Sequence, residues 1–191
     1  MKKITVNKLN TLTGHKDCVY TLEGSAEEDV FYSGAGDGMV VAWDLKDPDV
    51  GKLVAKVPSS VYSVHYFLPD NSVIVGQNFS GIHFIDPKEK KEVGSLKITE
   101  AAIFDIQSFQ NKIIIGSGDG VITIVDYYKK LILKQIKASE KSARTIAVNH
   151  HEGEFAVGFS DNHIRIYDIE TLSMKYEIRA HKSSVFTLKY F

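Results

Sequence analysis

Three stretches of this 191-residue chain hold residue types that carry chemistry in other settings. Gly34-Ala35-Gly36 and Gly116-Ser117-Gly118 have the composition of a loop that cradles phosphate with backbone N–H groups. That chemistry needs a strand before the loop and a helix after it. Here the residues that follow, Met39 to Asp44 and Val121 to Asp126, read as further strands, so both are tight hairpin turns. His150-His151-Glu152-Gly153-Glu154 sets two imidazoles beside two carboxylates, donors that suit a divalent metal. The spacing is not that of the paired-histidine zinc helix, and the segment reads as a polar turn between strands, so no metal ligand is assigned. Cys18 has no base arranged beside it, and no serine elbow, phosphate loop or kinase set is present. No catalytic residue, metal or cofactor is therefore expected, and the chain is read as no enzyme.

The elements around these turns repeat. Ser33-Gly34-Ala35-Gly36-Asp37-Gly38-Met39-Val40-Val41-Ala42-Trp43-Asp44 is a complete unit, and its closing Asp44 is followed by Asp86, Asp126 and Asp168, at steps of 42, 40 and 42 residues. A large apolar residue precedes each one: Trp43, Ile85, Val125 and Tyr167. A second landmark recurs five times, as Val19-Tyr20-Thr21-Leu22, Val61-Tyr62-Ser63-Val64, Ile103-Phe104-Asp105-Ile106, Thr145-Ile146-Ala147-Val148 and Val185-Phe186-Thr187-Leu188. Within each unit, short runs rich in β-branched and aromatic residues are separated by Gly, Asp and Asn turns, which predicts antiparallel meanders. In the first unit, Asp47-Pro48-Asp49-Val50-Gly51 reads as a break before a fourth strand over Lys52 to Val57. Residues 3 to 12 alternate around Ile4, Val6, Leu9 and Leu12 and predict one more strand. No segment carries a helical period of ordinary length.

Four strands in about 42 residues is the period of a β-propeller blade. The fold class is accordingly all-β: a β-propeller of four-stranded antiparallel blades, incomplete or closed by self-association. The predicted blades span about 14–57, 58–98, 99–138 and 139–179. Residues 1–13 are expected as the outer strand of a preceding blade, and 180–191 as the first strand of a fifth. The whole is one domain. Lysine-rich outer strands, such as Tyr127 to Lys137, read as guarded edges.

Bulk composition narrows the function. The net charge is −1, so the basic excess that neutralises phosphates is missing and nucleic acid is not an expected partner. No run approaches the ~18 apolar residues of a membrane span. A lone cysteine cannot form an internal disulfide, and Met1-Lys2-Lys3-Ile4-Thr5 lacks the apolar core of a signal peptide, so a reducing cytoplasm is the expected address.

The residues resemble the WD-repeat β-propeller family over almost the whole chain: Gly14-His15 before the inner strand, Ser33-Gly34 and Asp37 at the second turn, and Trp43-Asp44 closing the third strand. The resemblance implies a buried hydrogen-bonded tetrad of His15, Ser33, Asp37 and Trp43 in the first blade. The second unit has Val75, Phe79 and Ile85 where Ser, Asp and Trp belong, the third keeps Asp119, and the fourth keeps Asp161 with Tyr167 for the Trp. Those blades are expected to rely on packing. His181 matches His15 and opens the fifth unit. Propellers close with ~4 to 8 blades, so three explanations stay open: a piece of a longer propeller, which is the favoured one; two copies joined in one ring; or four blades closed alone.

The resemblance further implies a non-enzymatic scaffold that binds a protein or peptide at the mouth of the central channel. Its mouth residues would be Tyr20, Tyr62, Phe104, Ile146, Phe186, Arg144, Asn78 and Ser160. Strand alternation places Tyr20 and its counterparts on the same side as Leu22 and Val64, which equally describes packing between blades. The rival readings are a structural subunit that completes a larger ring, with self-association or missing blades as its partner, and a propeller enzyme with its site at the mouth.

Overall fold

The computed structural model describes residues 4–191. The strands are β1 (Val19–Gly24), β2 (Val30–Ala35), β3 (Met39–Asp44), β4 (Asp47–Lys56), β5 (Val61–Phe67), β6 (Ser72–Gln77), β7 (Gly81–Asp86), β8 (Lys91–Lys97), β9 (Ile103–Phe109), β10 (Lys112–Ser117), β11 (Val121–Asp126), β12 (Leu131–Lys137), β13 (Ala143–Asn149), β14 (Glu154–Phe159), β15 (His163–Asp168) and β16 (Met174–Arg179). They form four antiparallel four-stranded sheets, each a meander of consecutive strands. Each sheet is built as a propeller blade, and successive sheets pack through the first strands β1, β5, β9 and β13.

The reason for the stacking is visible in the middle strands. Val73-Ile74-Val75 and Ile113-Ile114-Ile115 are apolar without alternation and fully buried, because both faces of the sheet are covered. One core lies between the first and second blades around Val40, Val61, Val64 and Val75. The next, around Phe67, Ile103, Ile113 and Tyr127, joins the second and third, and a third, around Ile114, Ile124, Phe155 and Val157, joins the third and fourth. The last strands are exposed edges. In β12 only Ile136 is partly covered, and Lys134 and Lys137 guard the rest.

The close fit between blades explains a glycine in every unit. A Cβ on Gly34 would stand 2.6 Å from Val61 Cγ1, one on Gly76 2.6 Å from Ile103 Cγ2, one on Gly116 3.3 Å from Ala143 Cβ, and one on Gly158 2.6 Å from Val185 Cγ1. Each second strand thus offers a notch that the first anchor of the following unit fills. Tyr127 adds a polar tie between the second and third blades. Its ring stacks 4.0 Å from that of Phe67, and its hydroxyl lies 2.7 Å from Ser72 Oγ and donates to Asp70 over 2.5 Å.

Three expectations about elements are corrected. Residues 4–14 form no strand, and Ile4, Val6 and Leu9 are exposed. An outer strand of a preceding blade needs that blade to pair with, and none is among the described residues; Met1 to Lys3 lie outside them. Residues 180–191 likewise form no strand, although Val185 is buried in the Gly158 notch and its N–H reaches Phe159 O at 3.1 Å. Anchoring comes from the notch, whereas a strand needs a second strand beside it. Finally, Asp47 to Gly51 belongs to β4, which leaves a two-residue turn at Leu45-Lys46. An edge strand tolerates proline, and irregular pairing between Ala42 and Asp44 takes up the difference.

Candidate functional site

The tetrad residues meet inside the first blade. His15 Nδ1 lies 3.2 Å from both carboxylate oxygens of Asp37, its Nε2 lies 2.7 Å from Ser33 Oγ, and the Trp43 indole N–H donates to Ser33 Oγ at 2.7 Å. Ser33 and Trp43 are buried, so each polar group here is satisfied by another. Asp37 also accepts the backbone N–H groups of Lys16 at 2.7 Å and Met39 at 3.0 Å. The tetrad closes a turn and clamps the approach to β1 onto it.

The next blades keep more of this link than their sequences advertise. Thr99 donates its hydroxyl to Asp119 at 2.8 Å, and Ser139 donates to Asp161 at 2.7 Å. Both occupy the place of His15, and the visible signal was a hydroxyl 20 or 22 residues before the turn Asp, against 22 for His15 and Asp37. In the third blade Ser117 also donates to Asp119, and in the fourth Arg165 pairs with Asp161 at 2.8 Å. Only the second blade, with Phe79 in the turn, has no such carboxylate.

These carboxylates set a pH dependence. Burial would raise the Asp37 pKa, but the N–H groups of Lys16 and Met39 and the His15 ring outweigh it and hold it below the usual value. Burial is likewise overcome at Asp119 by Ser117, Thr99 and Val121 N–H, and at Asp161 by Ser139, Arg165 and His163 N–H. A carboxyl whose folded pKa lies below its unfolded value stabilises the fold above that unfolded value, about 3.9, and loses the contribution as the pH falls through the folded pKa. Asp105 acts in the opposite sense, because burial raises its pKa against the Ile146 and Gln107 donors. The Asp168 pKa is also lowered, by the Thr171 N–H and hydroxyl. With four carboxyls lowered against one raised, urea midpoints are expected to be flat near neutrality and to fall below about pH 4. Asp37→Asn should be less stable at pH 7 and lose less on acidification; an equal acid loss in both proteins would contradict this.

Four residues of the expected mouth are each displaced by a bulge at the start of a first strand. Val19 pairs with Ala35 and Thr21 with Gly34, so Tyr20 has no partner. Tyr62, Phe104 and Arg144 are left over in the same way, between Val61 and Ser63, Ile103 and Asp105, and Ala143 and Thr145. A bulge breaks alternation and re-aims the extra side chain. Tyr20, Tyr62 and Phe104 therefore leave the inter-blade core and meet one another, with ring centres 4.5 Å apart for the first pair and 5.6 Å for the second. The Arg144 guanidinium lies 4.0 Å from the Phe104 ring centre and 5.4 Å from that of Phe186, and its Nε donates to Ser160 Oγ at 3.0 Å. These rings, with Asn78 and Phe79, line an open cavity of about 510 Å³.

Ile146 is not at this mouth. It is buried in the core between the third and fourth blades, near Gly116. The third-to-fourth step is 40 residues, from Ile103 to Ala143, so the fourth unit starts two residues earlier than a 42-residue step implies. Arg144, placed two residues before that position from the sequence, takes the bulge itself. A two-residue slip preserves the strand face, which hid it in the pattern.

Elsewhere, reactive residue types are engaged structurally. The His150 ring stacks on Phe109 at 5.4 Å, His151 bonds Glu152, and Glu154 pairs with Lys175 at 2.6 Å. His65 Nε2 lies 2.8 Å from Ser108 Oγ and its Nδ1 3.2 Å from Glu23 Oε1, a serine–histidine–acid line across three blades. The His–Glu contact is close but not aligned as a hydrogen bond, and Glu23 already accepts Tyr66 N–H at 2.9 Å. None of the three lines the mouth cavity, and the line reads as a tie between first strands.

A family model, the WD domain, G-beta repeat, matches residues 6–44, the stretch that holds the whole tetrad. The first three strands of the first blade are thus similar to a WD repeat. The other three sheets share that blade's four-stranded antiparallel build. WD repeats generally act as protein-interaction scaffolds. No helix among the described residues is long and apolar enough to cross a membrane.

Proposed function

We propose that this chain is a protein- or peptide-binding scaffold with no chemistry of its own, working in the cytoplasm, whose partner seats on the mouth formed by Tyr20, Tyr62, Phe104, Arg144 and Phe186. The observation that supports it best is the set of bulges. Four consecutive first strands each turn one large side chain out of the core, and the result is an open aromatic cavity. Aromatic and arginine side chains presented on a rigid platform are the usual anchors of an interface. Asn78 and Ser160 complete the rim, Ser160 by holding Arg144. A photo-crosslinking residue at Tyr62 is expected to capture a partner in cells that the same residue at Tyr176, on the exposed edge β16, does not. Equal capture at both positions would remove the mouth as the site.

A second reading has its own observation. Val61, Ile103 and Ala143 are 0% exposed and Val185 3%, each in the notch of the preceding blade, whereas Val19 is 50% exposed and Leu22 65%. The first blade thus shows a face shaped for another blade's glycine notch, as expected of a subunit that completes a ring with further blades or a second copy. Sedimentation should then show association of the isolated chain, and a monomer at all concentrations would refute it.

A further inference from the structure

The lip of the mouth between the second and third blades differs from the matching turns of the other three blades. Asn78 is 5% exposed, and its side-chain oxygen is buried without a hydrogen-bond partner. Phe79 follows with φ of +66° and is 67% exposed. At the corresponding place the other blades carry Asp37, Asp119 and Asp161, all bonded within the turn, and they leave the left-handed conformation to Gly38, Gly120 and Asn162. A bulky residue in a left-handed conformation, an exposed phenyl ring and an orphaned buried acceptor are each unfavourable. All three belong to Asn78 and Phe79, which both line one cavity.

Opposite them stands Arg144. Its guanidinium lies over Phe104 and near Phe186, and Nε is held by Ser160. No carboxylate lines the cavity, and among the described residues Arg144 has no ion-pair partner. A guanidinium fixed in this way presents the rest of its fork to a planar anion.

We propose that the mouth recognises an acidic peptide: a carboxylate seated on Arg144, a backbone amide N–H donated to the Asn78 oxygen, and apolar flanks covered by Tyr62, Phe104 and Phe79. The inference rests on the reading of the mouth as the partner site and adds the chemistry of the partner. One arginine with no second cation in the lining suits a single carboxylate better than a phosphate dianion.

The test is selection of a random octapeptide library on the full chain, followed by affinity measurements on the selected peptides. They are expected to carry Asp or Glu, and exchange of that residue for Asn or Gln should weaken binding tenfold or more with the protein untouched. Arg144→Gln should cost a similar factor, Asn78→Ala severalfold, and Lys129→Gln, on the turn after β11, nothing. Selected peptides without an acid that bind the Arg144→Gln protein equally would overturn the proposal. The mouth reading would survive that result if Tyr62→Ala and Phe104→Ala abolished binding. Indifference to all of these variants would overturn both, and failure to select any peptide would overturn the acidic-peptide proposal.

Discussion

Gly34→Val is expected to destabilise the protein by about 3 kcal/mol, the upper end of what overpacking usually costs. A Cβ at Gly34 already meets Val61 Cγ1 at 2.6 Å, Thr21 Cγ2 at 2.9 Å and Val64 Cγ2 at 3.1 Å, and none of these can retreat. Val61 and Val64 lie in β5, paired along its length with β6 and buried in the core that joins the first two blades. The added methyls must push two blades apart, which opens a core built to native density. Gly158→Val is the control. Its Cβ meets Thr145 Cγ2 at 2.8 Å, as that of Gly34 meets Thr21, and Val185 Cγ1 at 2.6 Å, but Val185 belongs to a segment with no strand pairing and can lift away, so a smaller loss of about 1 to 2 kcal/mol is expected. Urea unfolding followed by fluorescence of the single tryptophan, Trp43, measures both. Equal losses would mean that the notches do not hold the blades together.

Trp43→Ala is expected to cost more, about 3 to 5 kcal/mol from the lost side chain and the cavity it leaves. Trp43 is 4% exposed, lies against Gly51 of β4, and is the donor that completes the tetrad at Ser33. Trp43→Phe separates the two contributions. It keeps most of the volume and removes the indole N–H with a small part of the ring system, so a smaller loss of about 1 kcal/mol is expected. Ser33→Ala should exceed Trp43→Phe, since it orphans both the indole N–H and the His15 ring in a buried place. Circular dichroism in urea follows all three, because two of them remove the fluorophore. A Trp43→Ala protein as stable as Trp43→Phe would show that the first blade does not depend on packing around this residue.

Much of this architecture was legible in the residues alone. The recurrence of Asp44, Asp86, Asp126 and Asp168 and the turns around Gly34, Gly76, Gly116 and Gly158 define a repeat of four short strands. Local turn chemistry and strand propensity then specify each meander, because a hairpin depends on neighbours in sequence. The His15, Ser33, Asp37 and Trp43 set was readable only through the resemblance to the WD-repeat family, since no later unit repeats all four. Thr99 and Ser139 were harder to read, since a hydroxyl 20 or 22 residues before the turn Asp is a common residue type and only its contact with the carboxylate marks it as the counterpart of His15.

Position along the chain thus determined the fold class and the blade count within the chain, and the family resemblance pointed to the first-blade tetrad. The tertiary structure decided which side chains leave the core. Tyr20, Tyr62, Phe104 and Arg144 are re-aimed by bulges, and a bulge is a property of the register between two strands, so alternation within one strand could not separate Arg144 at the mouth from Ile146 in the core. The same holds at the two ends. Residues 4–14 have the alternation of a strand, and Val185 has the look of an inner-strand anchor, yet neither segment is a strand here, because a strand exists only where another offers its backbone donors and acceptors.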